Sequence, residues 1–298
     1  MVQSRPVPQG AWDTHHHIFE PKKYPLNAGR HFTPGTATPD DLDTFEKSIG
    51  VQNTCIAHGL SYGPDCTSLL DYLDHFKGRS RGICVIEPDA ITDDELDKYH
   101  AAGIRSVRLD FFKHQAMDDL EKQKSLITKT AERIRKWGWS VQIQQPHLEF
   151  WAELRRLANE VKVPIVVDHM GLISVRSLSG RDMTDTEQQG LNELHGAMAD
   201  GNVWVKISAP YRCSDEKPGY ADLEDVVRGF LRANKERVVW GSDWPHTQRH
   251  KDRIGKDPSK PEEFQKIDNQ AWIESLSRWC SEDEWTRLWV ANPEELYK

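Results

Sequence analysis

Histidines and aspartates recur at positions from which several side chains could act on one substrate atom. The segment Asp13-Thr14-His15-His16-His17 lies near the N-terminus, and Asp168-His169 and Ser242-Asp243 follow much later. On a strand, alternation predicts that Asp13, His15 and His17 share one face while His16 lies on the other. Imidazoles around a carboxylate keep it ionised, as a general base requires. The same group of side chains also suits a divalent metal ion.

Eight short apolar runs of strand length alternate with segments of helical periodicity. The runs span residues 11–19, 53–59, 82–88, 106–112, 140–146, 164–170, 203–209 and 238–244. Helix-start signals lie between them, as at Thr92 before an acidic turn. This order predicts an α/β fold, a distorted (β/α)8 barrel of the TIM type, with residues 1–298 as a single domain. A doubly wound open sheet is the alternative. In a barrel, the carboxyl ends of the strands face the active site.

Two polar loops interrupt the alternation of strands and helices. Residues 20–40 are rich in proline and glycine, and residues 246–270 follow the eighth run. Both are longer than an ordinary connection. Because both follow strand ends on the predicted active-site side, they could cover the site.

Composition excludes several functional classes. The 298 residues carry a formal net charge of -8, with 37% hydrophobic and 29% charged residues, which is typical of an ordinary soluble protein and argues against a nucleic-acid-binding surface. Five cysteines without CxxC spacing argue against a disulfide framework. The sequence has neither a signal-peptide pattern nor a bilayer-length apolar run. We expect a cytoplasmic protein with a small-molecule substrate and no nucleic-acid or membrane partner; a homo-oligomer is left open.

Three separated motifs resemble a known enzyme group. They are Asp-x-His-x-His at 13–17, Val-Val-Asp-His-Met-Gly at 166–171 and Trp-Gly-Ser-Asp-Trp-Pro-His at 240–246. In this order they resemble the amidohydrolase superfamily, and within it the 2-pyrone-4,6-dicarboxylate lactonases and their relatives. The likeness extends from Trp12 to Tyr297 and includes the stretches at 103–108, 137–139 and 206–210. The resemblance implies an amidohydrolase-type barrel and a hydrolase that opens a lactone ring.

The resemblance also implies roles for particular residues. Asp243 would take a proton from the attacking water, and His15, His17 and His169 would polarise the carbonyl and hold the oxyanion. Arg108 and Arg212 would bind the charged groups of the substrate. The further candidates for substrate contact are His58, Ser61, His114, Gln144 and Gln248.

The sequence departs from the lactonase pattern at three positions. His114 and Leu172 stand where that family carries arginines, and Gln144 stands where it carries a tyrosine. Each charge-assisted hydrogen bond contributes about 1.5–3 kcal/mol, so the loss of two cationic groups weakens binding of a dicarboxylate. We therefore expect a monoanionic or less polar lactone, of the carboxylate-bearing pyrone, muconolactone or sugar-lactone type.

The need for a cofactor is the main alternative that the sequence leaves open. The fourth run lacks the bridging ligand of a binuclear amidohydrolase site, and the resemblance implies catalysis without metal. A single Zn²⁺ or other divalent ion on His15, His17 and Asp243, with His58 assisting, remains chemically feasible. A zinc-dependent decarboxylase or hydratase acting on a small aromatic or unsaturated acid is thus the second hypothesis, and a non-catalytic binding protein is the third. No GxSxG motif supports a serine hydrolase.

Overall fold

Eight parallel strands form the centre of the computed structural model, which describes residues 5–173 and 183–298. In chain order they are β1 Trp12–His16, β2 Asn53–Ala57, β3 Ser80–Cys84, β4 Ile104–Arg108, β5 Ser140–Ile143, β6 Ile165–Val167, β7 Val203–Ser208 and β8 Val238–Gly241. Each strand pairs with the next one along the chain. The sheet closes where the backbone N–H of His17 donates to Trp244 O at 2.8 Å and that of Asp243 donates to His15 O at 2.7 Å. The predicted barrel is confirmed, and the open sheet is excluded.

A main helix follows every strand. In chain order these are α1 Pro39–Ile49, α2 Thr67–His75, α3 Asp93–Ala102, α4 Leu120–Ile134, α5 Trp151–Val161, α6 Asp185–Ala199, α7 Glu224–Asn234 and α8 Asn269–Trp279. Short helical segments lie at Pro210–Cys213, His250–Arg253, Glu282–Thr286 and Asn292–Leu296, with a π-helical turn at Arg287–Ala291. Thr38 and Thr92 begin α1 and α3 with reciprocal capping boxes. The helices start at these positions because the side chains satisfy backbone N–H groups that have no partner within the helix.

The core lies between the barrel and its surrounding helices. Side chains of the strands are almost entirely buried because the barrel interior covers one face of the sheet and the helices cover the other. Several large rings fill the space, including Trp139, Trp151, Trp240, Trp272 and Trp289. Among the described residues, no helix combines the length and apolar character needed to cross a bilayer.

The two long loops meet above the carboxyl ends of the strands. Thr33–Pro34 of the first loop pairs in parallel with Pro261–Glu262 of the second. Thr33 Oγ1 also donates to Pro258 O at 2.8 Å. Residues from both loops line the cavity described below. The expected position of the loops near the site is therefore correct, and the second loop contains the short helix His250–Arg253.

Candidate active site

A bulge in β1 separates the side chains of its histidine segment. The pairing of β1 with β2 advances from Asp13 to His16 on one strand while it advances only from Thr54 to Ile56 on the other. One extra residue in β1 breaks the simple alternation. Asp13 consequently lies with His16, whose Nδ1 is 3.5 Å from Asp13 Oδ2, and the expectation that Asp13 shares the face of His15 and His17 is wrong.

His169 and Asp243 are presented by tight backbone turns after their strands. His169 lies just beyond β6, in a turn where it has φ 53° and ψ 46°. Asp243 follows β8 and has φ 61°. A positive φ is uncommon for residues other than glycine and is found at functional sites where the surrounding structure enforces it. These turns aim both side chains into the mouth of the barrel.

The centre of the site is one oxygen of Asp243 surrounded by three imidazoles. The Oδ1 atom lies 3.5 Å from His17 Nε2 and 3.8 Å from both His15 Nε2 and His169 Nε2. Asp243 is fully buried, yet Oδ1 has no hydrogen-bond partner among the described residues. The Nε2 atoms of His15 and His169 are likewise without a partner there. The separations leave these polar atoms facing one another without direct hydrogen bonds, so a small oxygen-containing group would satisfy them.

The other oxygen of Asp243 is held firmly in place. Oδ2 accepts hydrogen bonds from Tyr211 Oη at 2.6 Å and from Arg212 Nε at 2.8 Å. The remaining nitrogens of Arg212 reach Thr247 Oγ1 at 2.9 Å and two backbone carbonyls at 3.4 Å. Arg212 is therefore committed mainly to the carboxylate. Sequence reasoning missed Tyr211, although it directly follows the 206–210 stretch that carried part of the resemblance.

A second group of polar residues lies behind His15 in the barrel interior. His15 Nδ1 is 3.2 Å from Asp168 Oδ1 and 3.3 Å from Lys206 Nζ. Gln142 Nε2 donates to Asp168 Oδ2 at 2.9 Å. On the other side, His169 Nδ1 is 2.9 Å from Ser208 Oγ. Lys206 and Ser208 were also missed as site residues, and the signal was the presence of these two polar residues in β7, whose other residues are apolar.

The electrostatics keep the carboxylate charged and the imidazoles neutral. Burial opposes ionisation of Asp243, but interactions led by the Arg212 guanidinium outweigh it and hold the pKa of this carboxyl well below its usual range. Burial lowers the pKa of His15 and His169 well below the usual value, and Lys206 adds to the effect at His15. Burial also lowers the pKa of His17. At neutral pH the site thus combines an ionised acceptor with three neutral rings.

His17 and Asp243 open into a cavity of about 1440 Å³, whereas His15 and His169 are fully buried and do not line it. Of the candidates for substrate contact, Arg108, Arg212 and Gln144 line this cavity, together with His17 and Asp243. Four others do not line it: His58, Ser61, His114 and Gln248. His58 stacks on Tyr62 with ring centroids 5.5 Å apart, and Ser61 Oγ donates to Phe32 O. Gln248 Nε2 donates to Glu263 O.

The cavity walls are asymmetric in polarity. Apolar side chains form much of the outer wall, namely Phe32, Phe111, Phe112, Met117, Leu172 and Ile254. Ile254, a lining residue, is 74% exposed, unlike the other large apolar residues that the structure describes. Two further cations of the wall are paired with carboxylates, because Arg249 contacts Asp215 and Arg253 contacts Glu262. Arg108 is 6% exposed, and the nearest carboxylate oxygen in the described part of the chain is Asp168 Oδ2 at 3.8 Å.

The inner cluster could also hold a metal ion. His15, His17 and Asp243 each offer one ligand atom, and these atoms lie within 4.8 Å of one another. His17 Nδ1 is 2.7 Å from Ala57 O, so in the neutral ring Nδ1 carries the proton and Nε2 offers a lone pair. These positions fit a divalent ion, provided that His15 Nε2 is also unprotonated.

Comparisons with known proteins extend over nearly the whole chain. The amidohydrolase family model matches residues 12–298. The 2-pyrone-4,6-dicarboxylate hydrolase of Comamonas testosteroni is 30% identical over 80% of this chain and 78% of its own. The 4-sulfomuconolactone hydrolase of Hydrogenophaga intermedia is 28% identical over 81% of this chain and 76% of its own. A similar solved structure is that of a probable 2-pyrone-4,6-dicarboxylic acid hydrolase from Acinetobacter baumannii with citric acid bound. It superimposes with a TM-score of 0.74 at 22% identity, and the match covers 97% of this chain and 99% of that one.

Proposed function

Because the chain belongs to the amidohydrolase family, we propose that it is a hydrolase that opens the ring ester of a small carboxylate-bearing lactone. The observation that carries the proposal is the free Oδ1 of Asp243, which lies within 3.8 Å of three imidazole nitrogens at the base of the cavity. The relatives named as hydrolases of a pyrone and of a muconolactone support the same type of reaction.

Asp243 is the general base of the proposed reaction. Its Oδ2 is tied to Tyr211 and Arg212, so Oδ1 is the oxygen left to accept a proton from water. The neutral His17 ring presents its Nε2 lone pair beside Oδ1, because its Nδ1 donates to Ala57 O. His17 therefore orients the attacking water as a second acceptor, which differs from the carbonyl-polarising role that the resemblance implies. The proton held by Asp243 then passes to the leaving ring oxygen.

His15 and His169 are placed to stabilise the oxyanion. Their Nε2 atoms face the same space as Asp243 Oδ1, and neither has a partner among the described residues. Donors fixed in a water-poor site stabilise charge that develops in the transition state. A divalent ion bound here would polarise the carbonyl and acidify water. We propose that no metal is needed, since the Arg212 guanidinium already balances the charge of Asp243.

The substrate is proposed to be a monoanion with an apolar substituent. Arg108 is a buried cation of the cavity wall, and its nearest carboxylate oxygen among the described residues is 3.8 Å away, so it can pair with one substrate carboxylate. The apolar wall that includes Phe111, Phe112 and Leu172 would cover the remainder of the ring. A cavity of about 1440 Å³ has room for a substituent beyond the ring itself.

A substrate panel tests the proposal directly. Purified, chelator-treated protein is assayed for ring opening of pyrone, muconolactone, aldonolactone and isocoumarin carboxylates, with and without added zinc. We expect turnover of at least one monoanionic lactone without zinc, and loss of about a thousandfold in rate in Asp243→Asn. Asp110→Asn makes the same chemical change at a carboxylate that instead contacts His31 and the Lys113 backbone, and it serves as the control. Ring opening by Asp243→Asn within tenfold of the parent rate would refute the assignment of the base.

A further inference from the structure

A buried lysine approaches the rear nitrogen of a site histidine. Lys206 is fully buried inside the barrel, where its Nζ donates to Thr14 O at 2.7 Å and lies 3.3 Å from His15 Nδ1. A buried lysine is uncommon because desolvation disfavours its charge. Neither the proton transfer by Asp243 nor the binding of a carboxylate uses this side chain. Its position therefore needs another explanation.

Two neighbours compete for His15 Nδ1. A lysine ammonium can only donate a hydrogen bond, whereas a carboxylate can only accept one. The lysine contact satisfies the geometry of a hydrogen bond. Asp168 Oδ1 is 3.2 Å away, yet it has no hydrogen-bond partner among the described residues. The geometry thus favours a lone pair on Nδ1 that accepts from Lys206.

We infer that Lys206 is a positioning residue that fixes the tautomer of neutral His15 with its proton on Nε2. The proton then points into the space in front of Asp243 Oδ1, where His15 Nε2 lies 3.8 Å from that oxygen. His15 is thereby an oxyanion donor and not an acceptor. The contrast with His17 is direct, because the Ala57 carbonyl holds the His17 proton on Nδ1. The two rings are two residues apart, and their different rear partners assign them opposite roles.

Asp168 would favour the other tautomer of His15, with the proton on Nδ1, once Lys206 is removed. In Lys206→Met, the neutral ring would carry its proton on Nδ1 and donate to Asp168, so Nε2 would present a lone pair to the oxyanion. In the double variant Lys206→Met/Asp168→Asn, Gln142 Nε2 would keep the amide oxygen at the Oδ2 position, where it now donates at 2.9 Å. The amide NH₂ would then face His15 Nδ1 and restore the proton to Nε2.

Nitrogen NMR of the histidine rings tests this inference without any substrate. The full-length, chelator-treated protein is labelled with ¹⁵N-histidine, and His15 is assigned by the signals lost in His15→Gln. We expect a protonated Nε2 in the parent protein, a protonated Nδ1 in Lys206→Met, and a return to Nε2 in the double variant. Ser106→Ala removes other buried hydrogen bonds, in which Ser106 Oγ donates to Ser140 O and accepts from Ser140 Oγ, and it should leave the His15 signals unchanged. A proton on Nδ1 in the parent protein would overturn the inference, whether or not the variants fold.

Kinetics provide the second readout, which rests on the proposed lactone hydrolysis. Loss of one oxyanion donor lowers kcat by about a hundredfold or more, so Lys206→Met should lose about that much kcat with little change in KM. The double variant should regain at least tenfold. A kcat for the double variant that is no higher than that of Lys206→Met would contradict the inference. If no lactone is turned over, the proposed function fails while the NMR result still decides the tautomer.

Discussion

Removing the charge of Arg212 and removing that of Arg108 should impair different kinetic constants of the enzyme. Arg212 Nε donates to the buried Asp243 Oδ2 at 2.8 Å, whereas the carboxylate oxygen nearest to Arg108 among the described residues is 3.8 Å away. Arg212 therefore acts on the base, and Arg108 is available to the substrate. Replacing each by methionine keeps much of the side-chain volume while it removes the guanidinium.

The magnitude follows from the hydrogen bond that is lost. A hydrogen bond to a charged group contributes about 1.5–3 kcal/mol, which corresponds to about ten- to 150-fold in rate or affinity. For Arg212→Met we expect this loss in kcat, because Asp243 keeps only the Tyr211 hydrogen bond on Oδ2. For Arg108→Met we expect a similar loss mainly in KM, because the substrate carboxylate loses its partner.

A pair of substrates separates the two effects. Each variant is assayed with a carboxylate lactone and with its neutral methyl ester. Arg108→Met should discriminate against the carboxylate substrate but treat the ester much as the parent enzyme does. Arg212→Met should be impaired on both substrates to a similar extent. If Arg212→Met instead raised KM for the carboxylate alone, the conclusion that this arginine is committed to the base would be refuted.

Three further predictions concern specificity, pH and backbone contacts. Leu172→Arg adds a cation to the apolar wall of the cavity. The kcat/KM for a dicarboxylate lactone, divided by the kcat/KM for a monoanionic one, should therefore rise at least tenfold. An unchanged ratio would contradict the placement of Leu172 against the substrate. Burial lowers the pKa of both His58 and His246 from 6.5 to about 4, so the unfolded state binds more protons between these values. The contribution of these histidines to the free energy of unfolding should thus be constant above pH 6.5 and fall by about 3 kcal/mol per histidine towards pH 4. Denaturant titrations that give the same free energy of unfolding over this range would contradict the lowered pKa of the two histidines. Gly241→Ala places a Cβ 2.8 Å from His15 Cβ, so kcat should fall through displacement of that ring, and full activity in steady-state assays would exclude such displacement.

Part of the site could be predicted because it depends on local chain geometry and motif order. The eight strand-like runs fixed which residues follow the carboxyl ends of strands, and this placed His15, His17, His169 and Asp243 at one end of the barrel. Alternation failed at Asp13, because a one-residue bulge against β2 depends on the register between two strands and leaves no local signal. His58 and Ser61 were included in the predicted site, although neither lines the cavity.

The sequence by itself determined the order of strands and helices, the barrel and the residue types that meet at its mouth. These properties follow from periodicities of two and 3.6 residues, which act over short stretches of chain. Only the tertiary structure decided which atom each side chain faces. The pairing of Arg212 with Asp243, and of Lys206 with His15 across 191 positions of sequence, depends on barrel closure and on distances of a few ångströms. Whether a ring nitrogen donates or accepts depends on the partner that lies within such a distance. These contacts, and not the residue types, therefore assign the chemical roles.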